Sequence, residues 1–179
     1  MGDGASERRY FDDLRSIAKG KKIRSVDLGS SGEDKILAKC MTFIRDNRIE
    51  LEGNDELAIV TDNDGRYTAA EAEEFGQKCE KHNIQLYISN TSFEVWLLMH
   101  YSEISRAYTQ EELESALSKA LGKKYSKSSG IPLDEEKLKI AMQNAEKRLP
   151  YGKGPGDCIN ISSSTMVHYL VSNLVKRSY

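Results

Sequence analysis

The sequence is short of cysteine, of proline and of long apolar runs, and it carries no excess of positive charge. Its three cysteines, Cys40, Cys79 and Cys158, are far apart and odd in number. That usage argues against a disulfide framework and against a zinc ribbon, and it suits a reducing, cytoplasmic setting. With 3 prolines and 13 glycines in 179 residues, a collagen-like fibre is excluded. The longest apolar run, Val95 to Met99, has five residues. A membrane-spanning helix needs about 20, so no transmembrane segment and no membrane partner are expected. The start, Met1-Gly2-Asp3-Gly4-Ala5, has neither the basic nor the apolar region of a signal peptide. Against 28 acidic residues stand 26 Lys and Arg, a net charge of −2. Proteins that coat nucleic acid are far more basic, so any contact with DNA or RNA must be local.

What is present describes a globular α/β protein. The 39% apolar share is too high for disorder, and the length suits about one domain. A helix is expected over residues 6–19, capped by Ser6 and ended by Gly20, with Tyr10, Phe11, Leu14, Ile17 and Ala18 on one face. A strand over residues 23–28 and a helix over 33–47 should follow. Leu57-Ala58-Ile59-Val60-Thr61 reads as a strand buried on both faces of a parallel sheet, central and flanked by strands 23–28 and 84–88. Thr68 with Glu71, and Thr109 with Glu112, make capping boxes that open helices over 68–81 and 110–121. The alternation of strand and helix predicts parallel βαβ units in a core over residues 1–105. Residues 106–179 read as a helical part packed into the same domain, with helices near 135–149 and 163–176.

The strongest chemical signal is Asp62-Asn63-Asp64 at the carboxyl end of the apolar strand, where ligands bind in open parallel sheets. Two carboxylates at that spacing suit a hard divalent ion, and they equally suit an Asp-rich turn with Asp62 as an Asx cap. Glu94 opens the apolar helix that holds Trp96. It reads as a perturbed or metal-binding acid, or as the far half of a capping box with Thr91. His100 reads as a half-buried residue favourable to the helix dipole. Trp96 should be buried with its indole N–H paired. Lys119, Lys123, Lys124 and Lys127, around Tyr125, form a local basic patch that could meet phosphates or simply be solvated. Gly152 to Gly156 lacks the spacing of a phosphate-binding loop.

The segment Ser89-Asn90 followed by Ser92-Phe93-Glu94-Val95-Trp96-Leu97-Leu98-Met99-His100 resembles the central motif of the RloB-like family, known from restriction loci and abortive-infection systems. The resemblance extends to Asp3-Gly4-Ala5-Ser6-Glu7 with Tyr10-Phe11, to Asp62-Asn63-Asp64, to Tyr125-Ser126-Lys127, to Ala141-Met142-Gln143-Asn144-Ala145, and to the stretch from Asn160 to Val171. It implies a TOPRIM-like core, a mostly parallel sheet flanked by helices with a helical C-terminal half. It also implies a Mg²⁺ or Mn²⁺ site for phosphodiester hydrolysis. Asp62, Asp64 and Asp3 would be the metal ligands, Asp3 standing where the family has a longer Glu. Glu7 or Glu94 would serve as general base or supporting acid, and Lys127 and Asn144 as phosphate contacts. The implied role is that of a nuclease-like protein of prokaryotic anti-phage defence, acting on DNA or RNA, with a defence-system protein as a further partner. The rival expectation is a non-catalytic nucleotide-binding, nucleic-acid-binding or regulatory module.

If the basic patch meets phosphates, neutralising Lys123, Lys124 and Lys127 together is expected to weaken nucleic-acid binding and to flatten its salt dependence by about 0.7–0.9 for each phosphate no longer neutralised. A titration across salt concentration checks this, and an unchanged slope returns these lysines to a solvated surface.

Overall fold

The structure, a computed structural model, describes residues 4–18, 22–27, 29, 32–53 and 55–175. In chain order its elements are α1 (Ala5–Leu14), α2 (Glu33–Asp46), β1 (Leu57–Asp62), α3 (Ala69–Glu80), β2 (Ile84–Asn90), α4 (Glu94–Met99), α5 (Gln110–Leu121), α6 (Glu135–Arg148), α7 (Pro155–Asn160), β3 (Ser164–Thr165) and α8 (Val167–Val175). The fold is α/β, a small mixed sheet flanked by helices. β1 and β2 run parallel, in register from Leu57 opposite Ile84 to Asp62 opposite Ser89. α3 is their crossover, as the alternating pattern implied. β3 pairs antiparallel to the end of β2 through Ser89 with Thr165 and Asn90 with Ser164.

The order of the sheet is β1-β2-β3, so β2 and not β1 is central among the described residues. Residues 23–27 form no strand, and Leu28 lies outside the described residues. The expected centre was misplaced for a physical reason. β1 is apolar in sequence, yet Ala58 is exposed and Leu57 only half-buried. β2 looks half-polar, yet its polar side chains are paired inside the fold. Ser89 Oγ lies 2.8 Å from Thr165 Oγ1. The Asn90 amide nitrogen donates to the carbonyls of Cys158, Ile159 and Ile161 at 3.3, 2.9 and 3.2 Å. Paired polar groups can be buried, so alternation in β2 did not mark a wet face.

Two apolar clusters hold these elements. The smaller packs Ile36, Ala72 and Phe75 against Ile59, Ile84 and Ile88 of the sheet. The larger surrounds α4, with Tyr10 and Phe11 of α1, Leu113 and Leu117 of α5, Leu138 and Ala145 of α6, and Val171 of α8. All six residues of α4 are buried. A helix apolar on every side belongs inside a protein, and α4 is the axis around which the later helices stack.

The local signals explain most element ends. Thr68 with Glu71 and Thr109 with Glu112 form the two predicted capping boxes. Ser6 does not cap α1. Gly4 takes that place at φ 70, a left-handed conformation open to glycine, and a Cβ there would lie 2.8 Å from the Asp27 carboxylate. α7 begins with Pro155 in its first turn inside a stretch that reads as loop, and Pro suits that position because its missing N–H is not needed there. Among the described residues, no helix is long and apolar enough to cross a membrane.

Trp96 is fully buried, at 0% exposure. Its ring meets Tyr10 and His100 edge-on at 6.0 and 4.9 Å. Its indole N–H has no acceptor within hydrogen-bond distance, contrary to expectation; the aromatic edges around it leave it facing rings rather than carbonyls. Trp96→Ala is expected to lower the unfolding free energy by about 3–5 kcal/mol, the range for large-to-small changes in a core. Denaturant titration measures this, and a loss under ~1 kcal/mol would contradict the packing described.

Candidate functional site at the carboxyl end of the parallel strands

β1 delivers Asp62 into the interior, at 2% exposure. Beyond it the chain stays zipped to β2, with the Asn63 N–H donating to the Ser89 carbonyl at 2.9 Å and that of Asp64 to the Thr91 carbonyl at 3.1 Å. Asp64 turns at φ 46, a region that Asp and Asn tolerate better than other residues, and its side chain is exposed. Asp62 therefore points inward while Asp64 stands at the rim. The turn is capped by neither aspartate. Asn63 does that work, its Oδ1 accepting from the Tyr67 N–H at 2.9 Å. The Asp62 Oδ1 atom is buried without a hydrogen-bond partner.

Glu94 lies beside it, at 0% exposure. Both of its oxygens are occupied. Oε1 accepts from the hydroxyls of Ser6 and Tyr125, each at 3.0 Å. Oε2 accepts from the Ser92 hydroxyl at 2.8 Å and the Gln110 amide at 3.3 Å. A carboxylate offers about four acceptor positions, and four donors fill them. This is not the capping box of the sequence reading, since the Thr91 hydroxyl donates instead to the Tyr108 carbonyl at 3.2 Å. Glu94 is a braced acid with no open oxygen.

Glu7, on the first turn of α1, is the half-buried third acid. Burial holds its carboxyl above the usual range, with the Glu94 charge adding to the effect and the nearby Lys127 opposing it. Burial likewise pushes Asp62 well above the usual carboxylate range, reinforced by the charges of Glu7, Glu94 and Asp64 in that order. The acids that press hardest on Asp62 are thus Glu7 and Glu94, and the exposed Asp64 contributes less.

The structure brings Glu7, Asp62, Glu94 and Lys127 together and leaves Asp64 at their edge. Asp3 lies outside the described residues. Asn144 is not in this group. It is buried at the opposite end of α4, where its amide donates to the Met99 carbonyl at 2.8 Å. Lys123 and Lys124 are exposed. His100 is wholly buried rather than half-buried, and burial lowers its pKa to about 4. Its Nδ1–H donates to the Trp96 carbonyl at 3.0 Å, which leaves Nε2 to accept from the Tyr10 hydroxyl at 3.2 Å. A neutral imidazole has no charge for the helix dipole to favour, so that expectation is withdrawn.

Sequence reasoning missed Ser6, Ser92, Gln110, Tyr125 and Arg66. Ser92 and Tyr125 sit inside the family motifs, which was a usable signal. Gln110 follows a helix cap and carried none. Arg66 came two residues after the Asp-x-Asp, and its side chain folds back on the strand end, donating to the carbonyls of Asp62 and Asn63.

Chemically, the cluster offers one open carboxylate oxygen in a dry place, beside a second acid with access to solvent. Such a group can take a proton or meet a cation. Among the described residues no three Cys, His, Asp or Glu side chains converge closely enough to hold a metal ion. Compared with known proteins, residues 1–174 match a family model described as RloB-like protein. No curated protein and no solved structure matches the chain.

The raised Asp62 carboxyl makes a signed prediction. The native state keeps its proton to higher pH than the unfolded chain does. The stability from this group is therefore greatest below the ordinary carboxylate range and is lost as pH rises through it toward the raised native value. Asp62→Asn is expected to raise the melting temperature at neutral pH and to shrink the gain in stability that the parent shows on mild acidification. Thermal melts of both proteins across pH check this, and a destabilised, equally pH-sensitive variant contradicts it.

Proposed function

Because the chain belongs to the RloB-like family, we propose that it is a Mg²⁺-dependent, nuclease-like protein of prokaryotic anti-phage defence that hydrolyses phosphodiester bonds beside Asp62. The observation that carries this reading is the Asp62 carboxylate itself. It is buried, it lacks a partner on Oδ1, and it faces two further acids. A fold gains nothing in stability from such an arrangement, since like charges in a dry site repel. Functional sites are where these costs are tolerated. A TOPRIM-like arrangement of the core belongs to the same proposal.

The residues fit a hard cation in charge and in donor chemistry, because the open atom is a carboxylate oxygen. They do not by themselves enclose one. Asp62 is the residue that would hold the ion, with water completing its shell, as Mg²⁺ commonly retains several waters. When bound, the ion would polarise a phosphoryl oxygen and lower the pKa of a water.

The chain's own residues divide the remaining work. Glu7 is half-buried and reaches solvent, so it can receive a proton from an attacking water. Glu94 has no free oxygen for that task. It supplies fixed negative charge and, through its donors, holds the start of α1 against α4. Lys127 stands beside Glu7 and is suited to a phosphate oxygen.

The regulatory-module reading draws on one finding, the lack of three converging ligand side chains among the described residues. The two readings part in one experiment. Asp62→Asn is expected to abolish Mg²⁺- or Mn²⁺-dependent cleavage of DNA or RNA while the protein stays folded. Asp64→Asn, at the rim, is expected to reduce it. Cleavage that survives in Asp62→Asn, or a parent chain that cleaves nothing with either metal, would favour the binding module.

A further inference from the structure

We propose that Arg66 receives a backbone phosphate of the nucleic acid at this site, an inference that rests on the reading of the Asp62 cluster as a nucleic-acid site. The turn after β1 brings Arg66 back to the strand end, its own N–H donating to the Asn63 carbonyl at 2.8 Å. From there the side chain reaches inward. Nε donates to the Asn63 carbonyl at 3.2 Å and Nη2 to the Asp62 carbonyl at 2.7 Å. One edge of the planar guanidinium is thereby clamped to the backbone of the residue that bears the open carboxylate.

Backbone carbonyls fix the orientation of a guanidinium without neutralising it. The Asp64 carboxylate comes no nearer to Nη2 than 3.9 Å. Nη1 is buried and has no acceptor. An arginine is charged at every working pH, and a charged donor left without an acceptor is costly. Native proteins seldom leave such a group without a partner to meet it. The side chain as a whole is 26% exposed, so the end bearing Nη1 and Nη2 lies close to solvent. Two parallel N–H groups on that edge match two oxygens of a phosphate, which lysine cannot match.

The charge balance points the same way. Glu7, Asp62, Asp64 and Glu94 would repel a polyanion, and Arg66 and Lys127 are the cations that the structure sets beside them. In open parallel sheets ligands lie beyond the carboxyl ends of the strands, which is where the Arg66 guanidinium is held. A brace that only shaped the turn would need the Nε and Nη2 bonds and nothing further.

The test is fluorescence anisotropy with labelled single-stranded DNA and RNA oligonucleotides, across salt concentration and without divalent metal. Parent, Arg66→Gln and Arg66→Lys are compared, each with a thermal melt. Arg66→Gln is expected to bind about tenfold more weakly at low salt, the loss of one charge-assisted contact. Its salt slope should also be shallower by about 0.7. Arg66→Lys should keep the slope, because the charge remains, and still bind more weakly, because the two-pronged contact is gone. An unchanged slope in folded Arg66→Gln overturns the proposal. Should Arg66→Gln fail to fold, unchanged affinity in Arg66→Lys overturns it instead. Cleavage with Mn²⁺ is scored on the same samples. Binding that depends on Arg66 without any cleavage by the parent overturns the hydrolytic reading and leaves this contact standing. Cleavage with binding indifferent to Arg66 does the reverse.

Discussion

A carboxylate buried without a neighbouring cation can persist only if dipoles replace the water it has lost. Glu94 meets that requirement with donors drawn from separate parts of the chain. Ser6 comes from α1, Ser92 from the lead into α4, Gln110 from the first turn of α5, and Tyr125 from the loop that follows α5. Each bond fixes one of those segments against the first turn of α4. The arrangement explains why α1 starts where it does, and why Ser6 serves the interior instead of capping its own helix. It also explains why the lysine-bearing loop lies near the acid cluster, since Tyr125 ties that loop to Glu94. The rest of the site is arranged around this one satisfied charge.

Asp62 is its counterpart. The two acids are both buried, but one has every acceptor position filled and the other keeps an oxygen open. That contrast separates structural from chemical roles better than burial or charge alone. It also assigns the work within the Asp-x-Asp motif. Asn63, between the two acids, shapes the turn, and its amide nitrogen donates to Asn90 Oδ1 at 3.3 Å. Asn90 in turn holds the carboxyl-terminal carbonyls of α7. The strand ends, the turn and the later helix thus share one polar network.

Much of this was legible in the sequence. The capping boxes at Thr68 and Thr109 are local chemistry and need no tertiary information. The parallel pairing of β1 with β2 followed from an apolar strand, a helix and a second strand in order. The importance of Asp62 followed from its place after an apolar run. What was not legible is what depends on partners remote in sequence. Ser89 and Asn90 look like an exposed strand end until Thr165 and the carbonyls of α7 reach them. Ser6 looks like a helix cap until Glu94, 88 residues later, accepts from it. Asp62 and Asp64 look equivalent by spacing, and only the backbone dihedral of Asp64 sends one inward and the other out.

The separation in sequence of the donors around Glu94 has a consequence for synthesis on the ribosome. The acids come early, the last of them at position 94, while Gln110, Tyr125 and the β3 strand that seals the end of β2 follow later. A nascent chain that has released only its first hundred or so residues holds Glu94 without half of its donors. Desolvating it then is unfavourable, so the acid pocket stays open and wet until the later helices have emerged. Assembly of the site is therefore gated by completion of the chain, and an unfinished polypeptide exposes its host's nucleic acids to no ordered cluster of acids.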